Sequence, residues 1–259
     1  MTAPFVLSAS SVATFLRCGR QFWYAYVERR RDPPTVKQIV GRATHEAVET
    51  NYRQKLVTTT DLPTIDVLDA FTTAYDREIP DVDTPEEDTG KAKDSGVAIT
   101  RLYQHDVAPG IQPEFVKEPV QFEVNGIPYS GFLDLAAAGR VRDLKTTTRK
   151  PNADNPYGIQ LTGYALGYRQ KTGKKEAGVA LDYLVRTKKP QYVPVESGPV
   201  SDATIRSYAS VVQQVSDSIE AGTFLPNGLI GNPPACSWCG YKAICPDYQG
   251  SAIKLLRTP

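Results

Sequence analysis

No run of apolar residues in this 259-residue chain is long enough to span a membrane. The one early apolar stretch, residues 4–16, is interrupted by serines and has no Lys or Arg before it. It therefore lacks the pattern of a secretory signal peptide. No internal repeat is visible, and the chain is long enough to bury a core without disulfide bonds. These absences predict a cytoplasmic protein that has no membrane partner and folds as a single domain over residues 1–259.

A net charge is also nearly absent, because 30 Lys and Arg residues oppose 29 Asp and Glu residues. A protein that coats nucleic acid usually carries a strong positive balance. Here the basic residues occur in short runs, such as Arg29 to Arg31, and short runs are typical of solvated surfaces. The composition excludes a nucleic-acid-coating protein and permits an enzyme that holds DNA at one cleft.

Cysteine is scarce, and its spacing is uneven. Cys236, Cys239 and Cys245 form the pattern C-x2-C-x5-C, whereas Cys18 stands alone near the other end. Disulfides suit exported proteins, and structural zinc sites usually combine two close pairs of ligands. A four-thiolate iron–sulfur cluster accepts one distant ligand, and Pro246 follows the last cysteine as in ferredoxin-type sequences. The spacing favours an iron–sulfur cluster and leaves zinc as the alternative.

The first half of the chain has the apolar spacing of helices. Residues 8–27 predict one continuous helix that is capped by a serine and carries Cys18 in its middle. Residues 57–114 predict a helical insertion of unknown role, with an acidic loop around residues 80–90. No chemistry is recognisable in this insertion.

A second helix is predicted over residues 38–56. Gly41, His45 and Glu49 stand four apart in it, so they share one face. A glycine inside a helix costs about 1 kcal/mol relative to alanine. Its presence indicates that another part of the protein packs closely against the helix at Gly41.

An alternating pattern typical of strands begins at residue 119. Residues 119–124 and 127–135 flank Asn125-Gly126, a dipeptide that favours a type I′ hairpin turn. Ala138-Gly139 marks a second turn before a third strand at residues 140–145. The elements predicted after these are a helix from about Pro156 to Gln170 with Asn155 as its cap, a strand at 179–185 and a helix at 202–221.

The predicted strands bring two carboxylates together. Asp143 and Lys145 lie two apart on the third strand and so share a face, with Asp134 roughly opposite Asp143. Two carboxylates this close repel each other unless a cation lies between them. A divalent cation there could also polarise a phosphate and lower the pKa of bound water. Lys145 could then orient the water, stabilise developing negative charge or act as a base. A D-x-K triplet alone is a common pattern.

The order of the surrounding motifs is more specific than any one of them. The motifs are L-S-A-S before Cys18 and Phe22, G-x-x-x-H-x-x-x-E on a helix, G-F-L-D and D-L-K on strands, Q-x-x-x-Y on a helix, and the C-terminal cysteines. In this order the chain resembles the PD-(D/E)XK nuclease superfamily, specifically the RecB-like nucleases. It is most similar to the iron–sulfur exonucleases typified by the CRISPR-associated family that works in spacer acquisition. The resemblance runs from Ser8 to Cys245, although residues 57–114 carry no family signature.

The resemblance implies a role for each motif residue. The catalytic-metal ligands that it implies are His45, Asp134, Asp143 and the backbone carbonyl of Leu144, with Lys145 as the catalytic lysine. The supporting or DNA-contacting residues that it implies are Gln160 and Tyr164, with Glu49 and Glu118 as accessory carboxylates. The 4Fe–4S ligands that it implies are Cys18, Cys236, Cys239 and Cys245. An imidazole among carboxylates favours Mn²⁺, whereas sites made of oxygen alone suit Mg²⁺ better.

The resemblance also implies a fold and an activity. The fold would be α/β, a mixed sheet flanked by helices, with the cluster joining the N-terminal helix to the C-terminal segment. The activity would be metal-dependent exonucleolytic hydrolysis of DNA, on single strands or ends and in the 5′-to-3′ direction. The sequence has no Walker motif, so unwinding would require another protein.

Two other functions stay open at this point. One is a nuclease subunit that acts only within a CRISPR-integration or helicase–nuclease complex, with a recombination, helicase or integrase partner. The other is a catalytically inactive DNA-binding scaffold. The presence of Asp134, Asp143 and Lys145 argues against the scaffold.

Overall fold

A five-stranded mixed sheet forms the centre of the computed structural model, which describes residues 5–32, 34–81, 88–151, 158–229 and 235–250. The strands are β1 Phe115–Val124, β2 Ile127–Ala137, β3 Arg140–Thr147, β4 Gly178–Val185 and β5 Gln191–Ser197. Their spatial order follows the chain, and every neighbouring pair is antiparallel except β3 and β4. The predicted mixed α/β fold is confirmed.

Helices cover both faces of this sheet. The helices are α1 Ala9–Arg17, α2 Gly19–Phe22, α3 Val36–Thr58, α4 Thr64–Glu78, α5 Thr89–Leu102, α6 Gly158–Thr172, α7 Asp202–Glu220 and α8 Pro246–Gly250. α3 and α5 pack on one face, α6 packs on the other, and α4 packs on α3. α1 and α7 pack against the turn end of the β1–β2 hairpin. In the described part of the chain, no helix is both long and apolar enough to cross a membrane.

Not every predicted feature of these elements has a counterpart in the described residues. The predicted start of α6 at Asn155 and Pro156 lies outside the described residues. β5 is an edge strand of mostly exposed residues, so apolar periodicity does not predict it. Residues 57–114 include α4 and α5; their description as an insertion, and that of residues 1–259 as a single domain, stay predictions.

The predicted first helix is wrong in one respect, because it is interrupted at Cys18. This residue has an extended backbone, with φ −165° and ψ 115°, and it ends α1 and precedes α2. A Cβ on the next residue, Gly19, would lie 2.6 Å from the backbone nitrogen of Leu225. The break therefore accompanies a tertiary contact with a distant segment, which apolar periodicity cannot reveal.

Two tight turns fix the register of the first three strands. Asn125 and Gly126 have φ values of 53° and 78°, and Ala138 and Gly139 have φ values of 49° and 71°. Positive φ at both central residues is the requirement of a type I′ turn, whose twist matches that of the flanking strands. The predicted hairpin and second turn are confirmed.

The β1–β2 hairpin changes face halfway along its length. Val116 and Leu135 pack into the core beneath α3 and α5, whereas Val120 and Leu133 pack beneath α6. Strict alternation would keep residues an even number apart on one face. Lys117 has φ 49°, in the left-handed region. The left-handed residue breaks the alternation at this point.

Candidate active site and cysteine cluster

Three charged side chains form a row across the sheet, one on each of the first three strands. They are Lys117 on β1, Asp134 on β2 and Asp143 on β3. The β1–β2 and β2–β3 registers place Lys117 and Asp143 on either side of Asp134. Lys117 Nζ lies 2.6 Å from Asp134 Oδ1, and the two carboxyl groups interact with each other. The structure therefore brings together the carboxylates that the sequence pairs.

Asp143 is the buried member of this row. Its side chain is 1% exposed, and Lys145 Nζ lies 2.7 Å from its Oδ2. Neither carboxylate oxygen accepts a well-aligned hydrogen bond within the described part of the protein. Burial, together with the negative charge of Asp134, raises the pKa of Asp143 to about 7 despite the opposing charge of Lys145. Such a carboxylate lacks the hydrogen bonds that a buried charge normally requires.

The pKa of Asp134 is shifted in the opposite direction, below its usual value. Burial alone would raise its pKa, but the positive charge of Lys117 and the interaction with His45 lower it overall. Two neighbouring carboxyl groups thus have pKa values displaced in opposite directions, a common feature of functional sites.

His45 faces this pair from α3. Burial lowers the pKa of its imidazole, and the charges of Lys117 and Lys145 lower it further, against the effect of Asp134. The imidazole also forms a hydrogen bond with the backbone carbonyl of Leu144. His45 is therefore neutral at pH 7, which is the form that binds metals. Two of the ligands implied by the resemblance lie within hydrogen-bonding distance of each other.

Gly41 explains how α3 comes close enough to the sheet. A Cβ at Gly41 would lie 3.0 Å from Thr146 Oγ1 on β3. The predicted close approach at Gly41 is confirmed, and it places His45, one turn later on α3, beside the row.

α6 supplies a hydrogen-bond chain to Lys145. The Lys145 amine donates to Gln160 Oε1 at 3.2 Å, and Gln160 Nε2 donates to the Tyr164 hydroxyl at 2.6 Å. Burial raises the pKa of Tyr164, and the charges of Asp134 and Asp143 add to the effect. Tyr164 thus stays protonated, and this chain holds the amine of Lys145 in place. The Q-x-x-x-Y residues lie beside the D-L-K motif, and their role stays a prediction.

The accessory carboxylates are placed differently from each other. Glu49 lines a cleft with His45, and its Oε1 accepts a hydrogen bond from Arg53 Nε at 2.7 Å. Glu118 pairs with Lys171 on α6. Both therefore form the ion pairs of ordinary surface carboxylates, and a role in metal binding stays a prediction for each.

Lys117 is a site residue that lies outside the sequence motifs. The sequence nevertheless contains information that predicts its position. If the residues of β1 and β2 are paired in order away from the Asn125-Gly126 turn, Lys117 lies opposite Asp134. Its positive φ has no comparable signal, since strand periodicity carries no information about a single left-handed residue.

Two open clefts meet at Lys117. One encloses about 650 Å³, and its lining includes Arg42, His45, Glu46, Glu49, Arg53 and Lys117. The other encloses about 420 Å³, and its lining includes Ser8, Gln121, Gly131, Phe132, Asp134 and Tyr164. The row of charged residues is thus reachable by a substrate from two sides.

The four cysteines form a second cluster. All four are free and line one cavity. The Sγ atoms of Cys18 and Cys236 each lie 3.3 Å from the position that a Cβ would take on Gly228. Burial raises the pKa of the Cys236 thiol, and the charges of Cys18, Cys239 and Cys245 add to it. The chain ends therefore meet here, as the spacing of the cysteines predicts.

Protein contacts also join the two ends. The ring of Tyr24 stacks on that of Tyr241, with 5.3 Å between the ring centroids. The Tyr241 hydroxyl donates to the Arg30 carbonyl at 2.8 Å, and Arg20 Nε lies 2.7 Å from Asp247 Oδ2. The cysteine segment is thus docked on the N-terminal helices by stacking, a hydrogen bond and an ion pair.

The donor atoms fit the expected metals in type, but they are not arranged as finished ligand sets. Within the described ranges, no three His, Cys, Asp or Glu side chains form a ready metal-binding group. A divalent cation could bind the Asp143 oxygens, which accept no well-aligned hydrogen bond, and four thiols around one cavity suit a cation that binds thiolates. Both sites would have to close around their ions.

Comparisons with known proteins identify a family and a similar fold. Residues 6–246 match the PD-(D/E)XK nuclease superfamily. A crystal structure described as that of a presumed exonuclease from Eubacterium rectale is similar, with a TM-score of 0.61 and 13% sequence identity. The alignment covers 98% of this chain and 90% of that one, and at this identity it shows a shared fold. No curated protein matches the chain.

Proposed function

We propose a function from one premise, which is that the chain belongs to the PD-(D/E)XK nuclease superfamily. The protein is a metal-dependent DNA exonuclease that hydrolyses phosphodiester bonds in single strands or at DNA ends. The observation that carries this proposal is the pair Asp134 and Asp143, whose buried member accepts no well-aligned hydrogen bond and lies beside the amine of Lys145. Three further parts of the proposal rest on the motif resemblance. They are that the protein is a RecB-like nuclease, that it is related to the iron–sulfur exonucleases, and that it degrades DNA in the 5′-to-3′ direction. The description of the fold relative as an exonuclease also supports action at ends.

His45, Asp134, Asp143 and the Leu144 carbonyl would hold the catalytic metal. Bound Mg²⁺ or Mn²⁺ would polarise the scissile phosphate and lower the pKa of a water molecule. The neutral imidazole of His45 adds a nitrogen donor, which favours Mn²⁺.

Lys145 would act on the phosphate. Its amine lies beside Asp143 and is oriented by Gln160, which Tyr164 holds in turn. A fixed ammonium group at this place would stabilise the negative charge that develops on the phosphate during hydrolysis. The neighbouring helix thus contributes by orientation.

The proposal is tested by the dependence of DNA degradation on metal and on ends. We expect the purified chain to degrade end-labelled linear single strands with Mg²⁺ or Mn²⁺, to spare circular strands, and to be inactive with EDTA. Replacing His45 with Ala should weaken Mn²⁺ binding more than Mg²⁺ binding, because a nitrogen donor is lost. Cleavage by metal-free protein would refute the mechanism, and cleavage of circles would refute the end requirement.

The same assay separates the proposal from the two other functions. A chain that binds metal but degrades DNA only together with a helicase or integrase would be a subunit of a larger complex. A chain that binds DNA and remains inactive under all these conditions would be a scaffold.

Lys117 competes with the metal for Asp134, and this gives a second prediction. Lys117→Met should tighten the binding of Mn²⁺ by about three- to tenfold, about 1 kcal/mol after allowance for solvent screening of a partly exposed amine. Isothermal titration of the two proteins measures the difference. Lys93→Met is the matched control, since Lys93 on α5 pairs with Asp76 on α4 and contributes to neither the row nor the clefts beside it. Equal affinities of Lys117→Met and the parent would show that Lys117 does not oppose the metal.

The four cysteines are proposed to hold a 4Fe–4S cluster. The proposal is supported by their convergence on one cavity and by the remote position of Cys18 in the sequence. Zinc is the alternative occupant. The cluster would act as a structural link between the chain ends, since it lies with the N-terminal helices and is held by different residues from the metal site.

A further inference from the structure

An exposed aromatic ring lies in the cleft next to the carboxylate pair. Phe132 is 56% exposed, more than any other aromatic side chain in the described part of the chain. It stacks on none of the described aromatic rings. The cleft, of about 420 Å³, also contains Asp134 and Tyr164, and this volume is within the range of ligand sites.

The polar lining of this cleft is almost uncharged. Ser8, Ser10, Gln121 and Ser130 contribute hydroxyl and amide groups. Lys117 is the basic side chain among the described lining residues, and its amine is bound to Asp134. Proteins hold duplex DNA mainly through several Lys or Arg side chains that contact its phosphates. Single strands are held to a large extent by bases stacked on aromatic rings, so the cleft suits an unpaired base.

Gly131 leaves room in the same cleft. Apart from its two chain neighbours, no atom lies within 4 Å of the position that a Cβ would take on Gly131. Glycine inside a strand often marks a place where a ligand approaches closely. The cleft is therefore open to a close approach at Gly131.

A single exposed apolar residue is ordinary on a protein surface. Val195 on β5, which is 37% exposed, is an example. Phe132 differs because it is aromatic and shares its cleft with a proposed metal ligand.

We propose that Phe132 stacks on an unpaired base of single-stranded DNA and guides that strand past Gly131 to the carboxylate pair. The inference rests on the proposed nuclease function and adds a residue that determines its preference for unpaired bases. An intact duplex lacks free base faces and would gain nothing from the ring.

The test compares kcat/KM for an end-labelled single strand and for a blunt duplex, with Mg²⁺ present. Phe132→Ala should lower the value for the single strand about 5- to 100-fold, mainly through KM, and change that for the duplex less than about twofold. Phe132→Trp should keep the parent value. Gly131→Val should lower it, since the added side chain narrows the cleft. Val195→Ala is the matched control and should not change it.

Oligonucleotides with one abasic position identify the stacked base. In the parent, one abasic position near the cleaved end should slow degradation, and the same position should have no effect in Phe132→Ala. An active parent whose Phe132→Ala variant keeps its kcat/KM, or loses activity equally on both substrates, would overturn the stacking inference and leave the nuclease function standing. A parent that degrades no DNA would overturn the proposed function and the inference with it.

Discussion

Asp143→Asn is expected to lower the rate of DNA cleavage by about 10³-fold or more and to stabilise the metal-free protein. The loss of activity follows because one proposed metal ligand disappears, and about 10³-fold corresponds to about 4 kcal/mol of barrier. The gain in stability follows because a buried carboxylate without well-aligned hydrogen bonds becomes a neutral amide of the same shape. Few substitutions in a core are expected to increase stability while removing activity.

The stability effect has a defined pH dependence. The pKa of Asp143 in the folded protein, about 7, is above its value of about 3.9 in the unfolded chain. A carboxyl group with a raised pKa favours folding at low pH, and this contribution is lost as the pH rises through 7. The advantage of Asp143→Asn should therefore grow from about pH 4 to about pH 7 and then level off, reaching at least about 1 kcal/mol.

Denaturant unfolding with EDTA, measured at several pH values, checks this expectation. The matched control is Asp182→Asn on β4. Asp182 is also buried, but both of its oxygens accept hydrogen bonds from Arg142, at 2.7 and 2.8 Å. That variant should lose about 2 to 4 kcal/mol, because it breaks a satisfied buried ion pair. If Asp143→Asn is less stable than the parent at pH 8, Asp143 is a structural residue and the metal assignment is wrong.

Cys18→Ser is expected to remove the iron and to destabilise the protein as strongly as Cys245→Ser does. The cluster would link residues 18 and 236, which are 218 positions apart. Treated as a cross-link that closes such a loop, it is worth about 5 kcal/mol by the chain-entropy model. Protein prepared without oxygen should be brown and contain iron, and unfolding free energies should fall together for both variants. Stoichiometric zinc without iron would establish the alternative occupant.

A surface variant separates the cluster from the protein contacts around it. Arg20→Met removes the ion pair with Asp247. The side chains of Arg20 and Asp247 are 37% and 27% exposed. An ion pair this exposed contributes about 0 to 1 kcal/mol, so the variant should keep its iron and nearly all of its stability. A Cys18→Ser protein that is as stable as Arg20→Met would show that the cluster does not join the chain ends.

Much of the candidate site follows from local rules. The Asn125-Gly126 and Ala138-Gly139 turns each require one register, and these registers align Asp134 with Asp143. Helical spacing likewise predicts that Gln160 and Tyr164 share a face of α6. The first three strands also follow from turn residues and the alternation of apolar residues, whereas the mixed sheet is implied by the family resemblance. The features that follow from local rules depend on neighbours in the sequence, and they are therefore readable from it.

Other features depend on contacts between distant segments. Helical periodicity over residues 8–27 continues through Cys18, yet the chain is extended there because Gly19 packs against Leu225. Strand alternation predicts nothing unusual at Lys117, yet the hairpin changes face at this residue.

The sequence by itself determined the order of most elements, the registers of the first three strands and the identity of the charged groups, because turn chemistry and side-chain periodicity are local. Only the tertiary structure decided which of those groups lose water. Asp143 and Asp182 are both aspartates of central strands, but one is buried without well-aligned hydrogen bonds and the other is fully bonded to Arg142. Burial and partners come from every element that packs around a residue, and they set its pKa and its need for a cation.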